Sequence, residues 1–233
     1  MTTDKNTEVA SIVKQLGMPE KAWLQQALEN AVSSPQDGRL QISLFGAAAE
    51  FDKRCNALSQ GNLSWQQRLI QKKEQRILQF ASETGPHILI ELTAPEKDSK
   101  GMLEWSGEYA LARDLMGQVF ALLDPLAVEQ IDLEFIACTE ASSLGCLAGL
   151  EIAAYDYRQC RGDRDPEPLI PGLHIDLPKK LTDRAIAQGL SVNIARHLVN
   201  LPAAELNPET YAKLVSEIFK QSKSCTVATP PGV

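Results

Sequence analysis

No stretch of this 233-residue sequence is apolar enough for long enough to cross a membrane, because charges interrupt every run well short of a span. The opening MTTDKNTEVASIVKQL lacks a basic start followed by an apolar stretch, so no secretory signal is expected. Clustered Lys and Arg are also scarce. Against a net charge of -7, the one basic run, Lys72, Lys73 and Arg76, is interleaved with Gln and Glu and reads as a solvated helix face. That balance argues against a nucleic-acid partner, since phosphate binding needs a positive patch.

Paired metal ligands are missing as well. The five cysteines, Cys55, Cys138, Cys146, Cys160 and Cys225, never form a C-x-x-C pair, and reduced, partly buried thiols are the expectation. His87, His174 and His197 stand alone, without H-x-x-x-H or H-E-x-x-H spacing. Asp163, Asp165 and Glu167 alternate in an acidic cluster, but Pro166 and Pro168 spoil any EF-hand loop, so a solvated linker is expected. Ser142 and Ser143 before Gly145 make no nucleophile elbow. Gly145 and Gly149 hint at a phosphate-cradling turn, yet no G-x-G-x-x-G or G-K-[ST] run accompanies them. No internal repeat or low-complexity tract occurs.

What is present is an ordinary globular balance, 44% hydrophobic and 23% charged, arranged in alternating helical and strand patterns. A helix is predicted over 19–33, with Trp23, Ala27, Leu28, Ala31 and Val32 on one face and Pro19 in its first turn. Arg39 to Phe45 reads as a strand stopped by Gly46. A long helix is predicted from Ser64 to Phe80, its turns marked by Leu69, Lys73, Arg76 and Ile77. Strands follow at Ile88–Leu92 and Ile131–Ala137, with helices at Gly107–Leu123 and Cys146–Tyr157. Such alternation predicts an α/β fold, helices covering a mostly parallel or mixed sheet.

The stretch CRGDRDPEPLIPGLHIDLP then breaks the pattern and reads as a surface linker with a short strand at Leu173–Leu177. Beyond it, Leu181 to Leu201 is one helical pattern, with Thr182 or Asp183 near its start and Pro202 closing it. Asn207-Pro208 opens another helix, the Asn as N-cap, the Pro pre-set at helical φ and Glu209 at the positive end of the dipole. Cys225 to Val227 is a candidate further strand. The divisions expected are an α/β domain over 1–160, a linker and strand over 161–180, and connector helices leading into a further domain over 181–233.

The segment GLSVNIARHLVNLPAAELNPETYAKLV, Gly189 to Val215, resembles the connector of the leucine aminopeptidase family. There a long helix ends in A-R-x-L-x-N-x-P and a second helix opens with T-P or N-P. The matching positions here are Ala195, Arg196, Leu198, Asn200, Pro202, Asn207, Pro208, Tyr211 and Ala212. Upstream, LAGLEIAAYDYRQCRGD resembles the closing helix of the family's first domain, with Ala154, Tyr155 and Tyr157 at the aromatic pair and Tyr for the usual Phe. Ala203 and Ala204 depart from the Asn that often follows the proline, and His197 stands where an acidic residue is common. Arg196 and Asn200, four residues apart, would share a helix face and brace a domain junction or subunit contact, or act merely as a surface pair.

The resemblance implies a macro-like N-terminal α/β domain with a mixed sheet, followed by a helical connector and the start of a truncated catalytic domain. It also implies a cytoplasmic hexamer acting on peptide N-termini with two divalent metals, Zn²⁺ or Mn²⁺. In the family the metal ligands lie downstream, on a region ending in N-T-D-A-E-G-R, and no such run occurs here before Val233. No catalytic, cofactor-binding or metal residue is therefore expected in this chain. The competing expectation is a stand-alone macro-like module that binds a nucleotide-type ligand or a peptide without turnover. A gene product without stable function is the third.

Overall fold

The structure is a computed structural model, and it describes residues 21–32, 39–59, 77–82, 85–92, 105–123, 128–156, 169–202 and 206–219. The chain forms two compact units. The larger comprises residues 22–155 and 166–190, the other 1–21, 156–165 and 191–233.

In the larger unit the elements run α1 (Trp23–Glu29), β1 (Leu40–Phe45), α2 (Ala48–Ser59), β2 (Ile77–Ser82), β3 (Gly85–Glu91), α3 (Trp105–Leu123), β4 (Gln130–Ile136), α4 (Glu140–Ala153) and β5 (Gly172–Ile175). Helix α5 (Lys179–Asn200) begins there and continues into the second unit, which also holds α6 (Pro208–Phe219). The sheet order is β2-β3-β1-β4-β5. All neighbours are parallel except the β2–β3 hairpin. The expected mixed α/β sheet flanked by helices is what the chain forms.

Connectivity decides which face each helix covers. The step from β1 to β3 moves one way along the sheet, while β3 to β4 and β4 to β5 move the other. Right-handed crossovers then place α2 on one face and α3 and α4 on the opposite one. The α3/α4 face is the main core. Leu40, Ile42, Leu44, Ile88, Ile90, Ile131 and Leu133 point into it and meet Ala112, Met116, Val119, Leu144, Leu147 and Leu150. Leu24 and Ala27 of α1 and Leu181 and Ala185 of α5 extend the same cluster, and Trp23 meets Phe120 edge-on at 5.3 Å. The α2 face holds a much smaller group, Phe45, Phe51, Cys55, Leu78 and Leu89.

Gly145 and Gly149 explain how tightly α3 and α4 pack. A Cβ at Gly145 would come 2.3 Å from the Tyr109 carbonyl oxygen, and one at Gly149 would come 2.4 Å from that of Arg113. These glycines let two helix backbones approach, which replaces the phosphate-turn reading of the pair.

Several predicted elements need correction. Residues 77–80, assigned to the end of a helix, form strand β2, registered Ile77↔Ile90 and Leu78↔Leu89 on β3. The pairing available at the sheet edge overrides the helical spacing of Ile77 and Phe80. Residues 64–76 of that prediction lie outside the described residues, as do Tyr157, the 163–167 cluster and Cys225–Val227. Helix α2 was not expected at all. Its apolar signal is only Phe51, Cys55 and Leu58, at helical spacing on an otherwise polar segment.

Helix α4 begins at Glu140, six residues before its predicted start, because Thr139 caps it: the hydroxyl accepts the Ser142 N–H at 3.1 Å. Helix α1 ends at Glu29, leaving Val32 exposed outside it, and Leu24 takes the buried place. The short strand after the linker covers Gly172–Ile175, slightly ahead of the 173–177 prediction.

In the second unit, Leu201 and Leu214 are buried together, with Ile194, Leu198 and Leu206 packed around them. Asn207 caps α6 as predicted, its Oδ1 accepting from the Thr210 N–H at 2.9 Å and the Thr210 hydroxyl at 2.8 Å.

Candidate functional site

In an open α/β sheet the usual binding crevice lies beyond the carboxyl ends of the strands where the connections diverge. Here that switch point falls between β1 and β4. The segment leaving β1 is stitched on both sides: Gly46 N–H donates to the Ile136 carbonyl at 2.9 Å, and Leu92 N–H to that of Phe45 at 2.8 Å. Ala137 sits at φ 52, in the left-handed region that an alanine adopts only when its surroundings hold it there. Its carbonyl lies close against Gly46, where an added Cβ would come 2.1 Å from the Ala137 oxygen, so a side chain at 46 is excluded.

The N-terminus of α4 opens onto the same place, and such a terminus would ordinarily attract an anion. A carboxylate of the protein already stands there. Thr139 Oγ1 donates to Glu108 Oε2 at 2.6 Å, and Glu140 adds a second acid in the first turn. A phosphate-bearing ligand would meet negative charge at this point. That weighs against a nucleotide-type ligand here.

The thiols nearby are equally unreactive. Burial raises the Cys138 thiol, whose Sγ lies 3.4 Å from the Leu44 carbonyl. Burial holds that of Cys146 well above its ordinary value, helped by Cys138. Burial, then Asp52 and Glu91, pushes Cys55 up to about 11. Neutral thiols are poor nucleophiles and poor metal ligands. All three are free.

The polar residues of the larger unit converge elsewhere, on the α2 face of the sheet. Side chains alternate along each strand, so Gln41 and Ser43 of β1, His87 of β3, Asp132 and Glu134 of β4 and His174 of β5 share that face. Glu134 is the hub. Its Oε2 accepts from Arg54 Nη2 at 2.7 Å, Ser43 Oγ at 3.0 Å and Gln41 Nε2 at 3.5 Å. Beside it Arg39 Nη1 donates to Asp132 Oδ1 at 2.9 Å, while its Nη2 holds the Val32 carbonyl at 2.7 Å. His87 is buried, and that burial, followed by the Arg54 charge, lowers its pKa below the ordinary value. His174 lines a groove of about 530 Å³ together with Asp132, Leu133, Glu134, Phe135, Ile175 and Asp176.

This cluster escaped the sequence reading, although a signal was there. Leu40-Gln41-Ile42-Ser43-Leu44 and Ile131-Asp132-Leu133-Glu134-Phe135 alternate strictly, which marks one polar sheet face. Of the histidines singled out, His87 and His174 join this face, whereas the buried His197 belongs to the second unit. Ser142 and Ser143 are buried in α4, Ser142 completing the cap through a bond to the Thr139 carbonyl at 3.0 Å. In the second unit Ala195, Arg196 and Asn200 are exposed on α5 and Tyr211 is exposed on α6.

Among the described residues no group of three or more His, Cys, Asp or Glu is arranged to hold a metal ion. Asp132 and Glu134 are each engaged by an arginine, Arg39 and Arg54. No helix among the described residues is long and apolar enough to cross a membrane.

Comparison with solved structures finds a mutant of tomato leucine aminopeptidase, with a TM-score of 0.52 at 14% identity over 82% of this chain. The chain spans 40% of that protein's length. At this identity the likeness is one of fold. No family model matches the sequence. No curated protein matches it either.

Proposed function

We propose that this chain serves as the non-catalytic, N-terminal portion of a leucine aminopeptidase-like metallo-exopeptidase, supporting oligomer assembly and access of peptides to the catalytic centre. The fold likeness to the tomato enzyme carries this reading, since it takes in 82% of this chain and 40% of the longer protein. The A-R-x-L-x-N-x-P segment from Ala195 to Pro202, followed by the Asn207 cap of α6, supports it from the sequence side. In this reading the domains divide at about residues 160 and 180. Two divalent ions, Zn²⁺ or Mn²⁺, would be bound by side chains other than those of this chain. The assembly would be a hexamer in the cytoplasm, a compartment that suits three free thiols.

The test uses purified residues 1–233. Leucine anilide hydrolysis is measured with added Mn²⁺ or Zn²⁺, and mass in solution by light scattering. No metal-dependent turnover and a defined multimer are expected. Chelator-sensitive release of leucine would overturn the non-catalytic assignment. A strict monomer at all concentrations would overturn the assembly role.

A further inference from the structure

The groove beside β5 has a backbone origin. Its lining takes consecutive residues from β4, Asp132 to Phe135, and from the end of β5 with the residue after it, His174 to Asp176, and the strand side chains alternate between the faces. It therefore runs along a strand edge rather than across one side of the sheet. Pairing of β5 with β4 ends at Leu133↔Ile175, whereas β4 continues to Ile136 with β1 on its other edge. Among the described residues Glu134, Phe135 and Ile136 thus have a strand on one side only. Pro178 follows closely and α5 begins at Lys179, so the chain turns away and leaves a notch where β5 would have continued.

The notch is lined by two half-exposed ion pairs. Arg39 and Arg54 have side chains 19% and 32% exposed, while their partners Asp132 and Glu134 are 40% and 41% exposed. In both pairs the acidic side chain is the more exposed of the two. Among the described residues each carboxylate has an oxygen left over, because the arginines use Asp132 Oδ1 and Glu134 Oε2. Asp176 adds an exposed third acid at the rim, and His174 Nε2 is buried with no hydrogen-bond partner within the described protein.

We propose that this notch docks an extended, lysine- or arginine-bearing segment of a partner protein, added as a strand along the free edge of β4. Main-chain pairing with Glu134–Ile136 would supply the direction. Glu134, with Asp176 at the rim, would receive the basic side chains on one face, and Phe135 the apolar ones on the other. The inference does not depend on the aminopeptidase reading, since it uses only the sheet edge and its charges.

The probe is a capped hexapeptide of alternating valine and lysine, titrated into the ¹⁵N-labelled full chain. Controls are the valine–glutamate analogue, the lysine peptide N-methylated on alternate amides, and spermidine. The lysine peptide should shift the amides of Glu134–Ile136 and Gly172–Asp176 and bind more weakly as salt rises. Asp176→Lys, checked for fold by circular dichroism, should weaken it about tenfold, as expected when an attraction becomes a repulsion at a partly exposed site. N-methylation should weaken it by a similar factor in the unmodified protein, independently of any variant. Equal binding of the glutamate peptide, indifference to N-methylation, equal shifts with spermidine, or shifts confined to other regions would each overturn the proposal.

Discussion

The two faces of the sheet are built from the same strands, yet they follow different rules. On the α3/α4 side Leu40, Ile42, Leu44, Ile88, Ile90, Ile131 and Leu133 are aliphatic and nearly solvent-free, with Phe135 half-buried at the end of β4. On the α2 side the alternate positions read Gln41, Ser43, His87, Asp132 and Glu134, and the apolar group is a small one, Phe45, Leu78 and Leu89 with Phe51 and Cys55, flanked by Leu58 and Ile136. Burial of apolar surface contributes about 25 cal/mol per Å², whereas partly exposed ion pairs contribute about 0–1 kcal/mol each. The first face accordingly carries the fold. The second holds the groups able to recognise something.

The sharpest break of this contrast is Gly145→Val. Its side chain must displace the Tyr109 backbone, and a loss of about 3 kcal/mol or more is expected, read as a fall in urea midpoint or in soluble yield. Next comes Glu151, the one acid among the described residues buried within the apolar side. Ala22 gives α1 no side-chain cap, and Glu151 Oε2 instead accepts the Leu24 N–H at 2.7 Å. Glu151→Ala should cost about 1.5–3 kcal/mol, with faster amide exchange concentrated in α1. Arg54→Met, on the polar side, should cost about 1 kcal/mol or less, because its pair with Glu134 is partly solvated. A loss as large as that for Glu151→Ala would erase the distinction between the faces.

The smallest effect is a pH dependence. His87 has its pKa lowered from 6.5 by burial and by Arg54, so the unfolded chain binds its proton first. Its contribution is complete above about pH 6.5 and is lost as pH falls from there through the folded value. Urea midpoints measured at about pH 7.5 and pH 5.5 should differ less in His87→Phe than in the unmodified chain. Were the difference unchanged, other groups would govern the acid side.

Most of the scaffold was legible because it obeys local periodicity. The strand before Gly46, the apolar Ile88–Ile90 run, the Gly107–Leu123 helix and the Asn207 cap all follow from spacing and end signals, and all are present. Failures occurred where the deciding partner is distant in sequence. Ile77–Ser82 becomes a strand because β3 offers its edge, and α2 exists because Phe51 and Cys55 find Phe45, Leu78 and Leu89. The polar face was missed for the same reason. Gln41, Arg54 and Glu134 are ordinary residues until the sheet order brings β1 beside β4. Asn207, by contrast, needs only Thr210, three residues away.

The glycine-mediated seam between α3 and α4 leaves neither helix free to roll about its axis without a backbone collision. That side of the molecule behaves as a stiff plate. Any rearrangement on docking a partner therefore has to be taken up by α2 and the outer strands, and their amides are where a spectroscopist should look for motion.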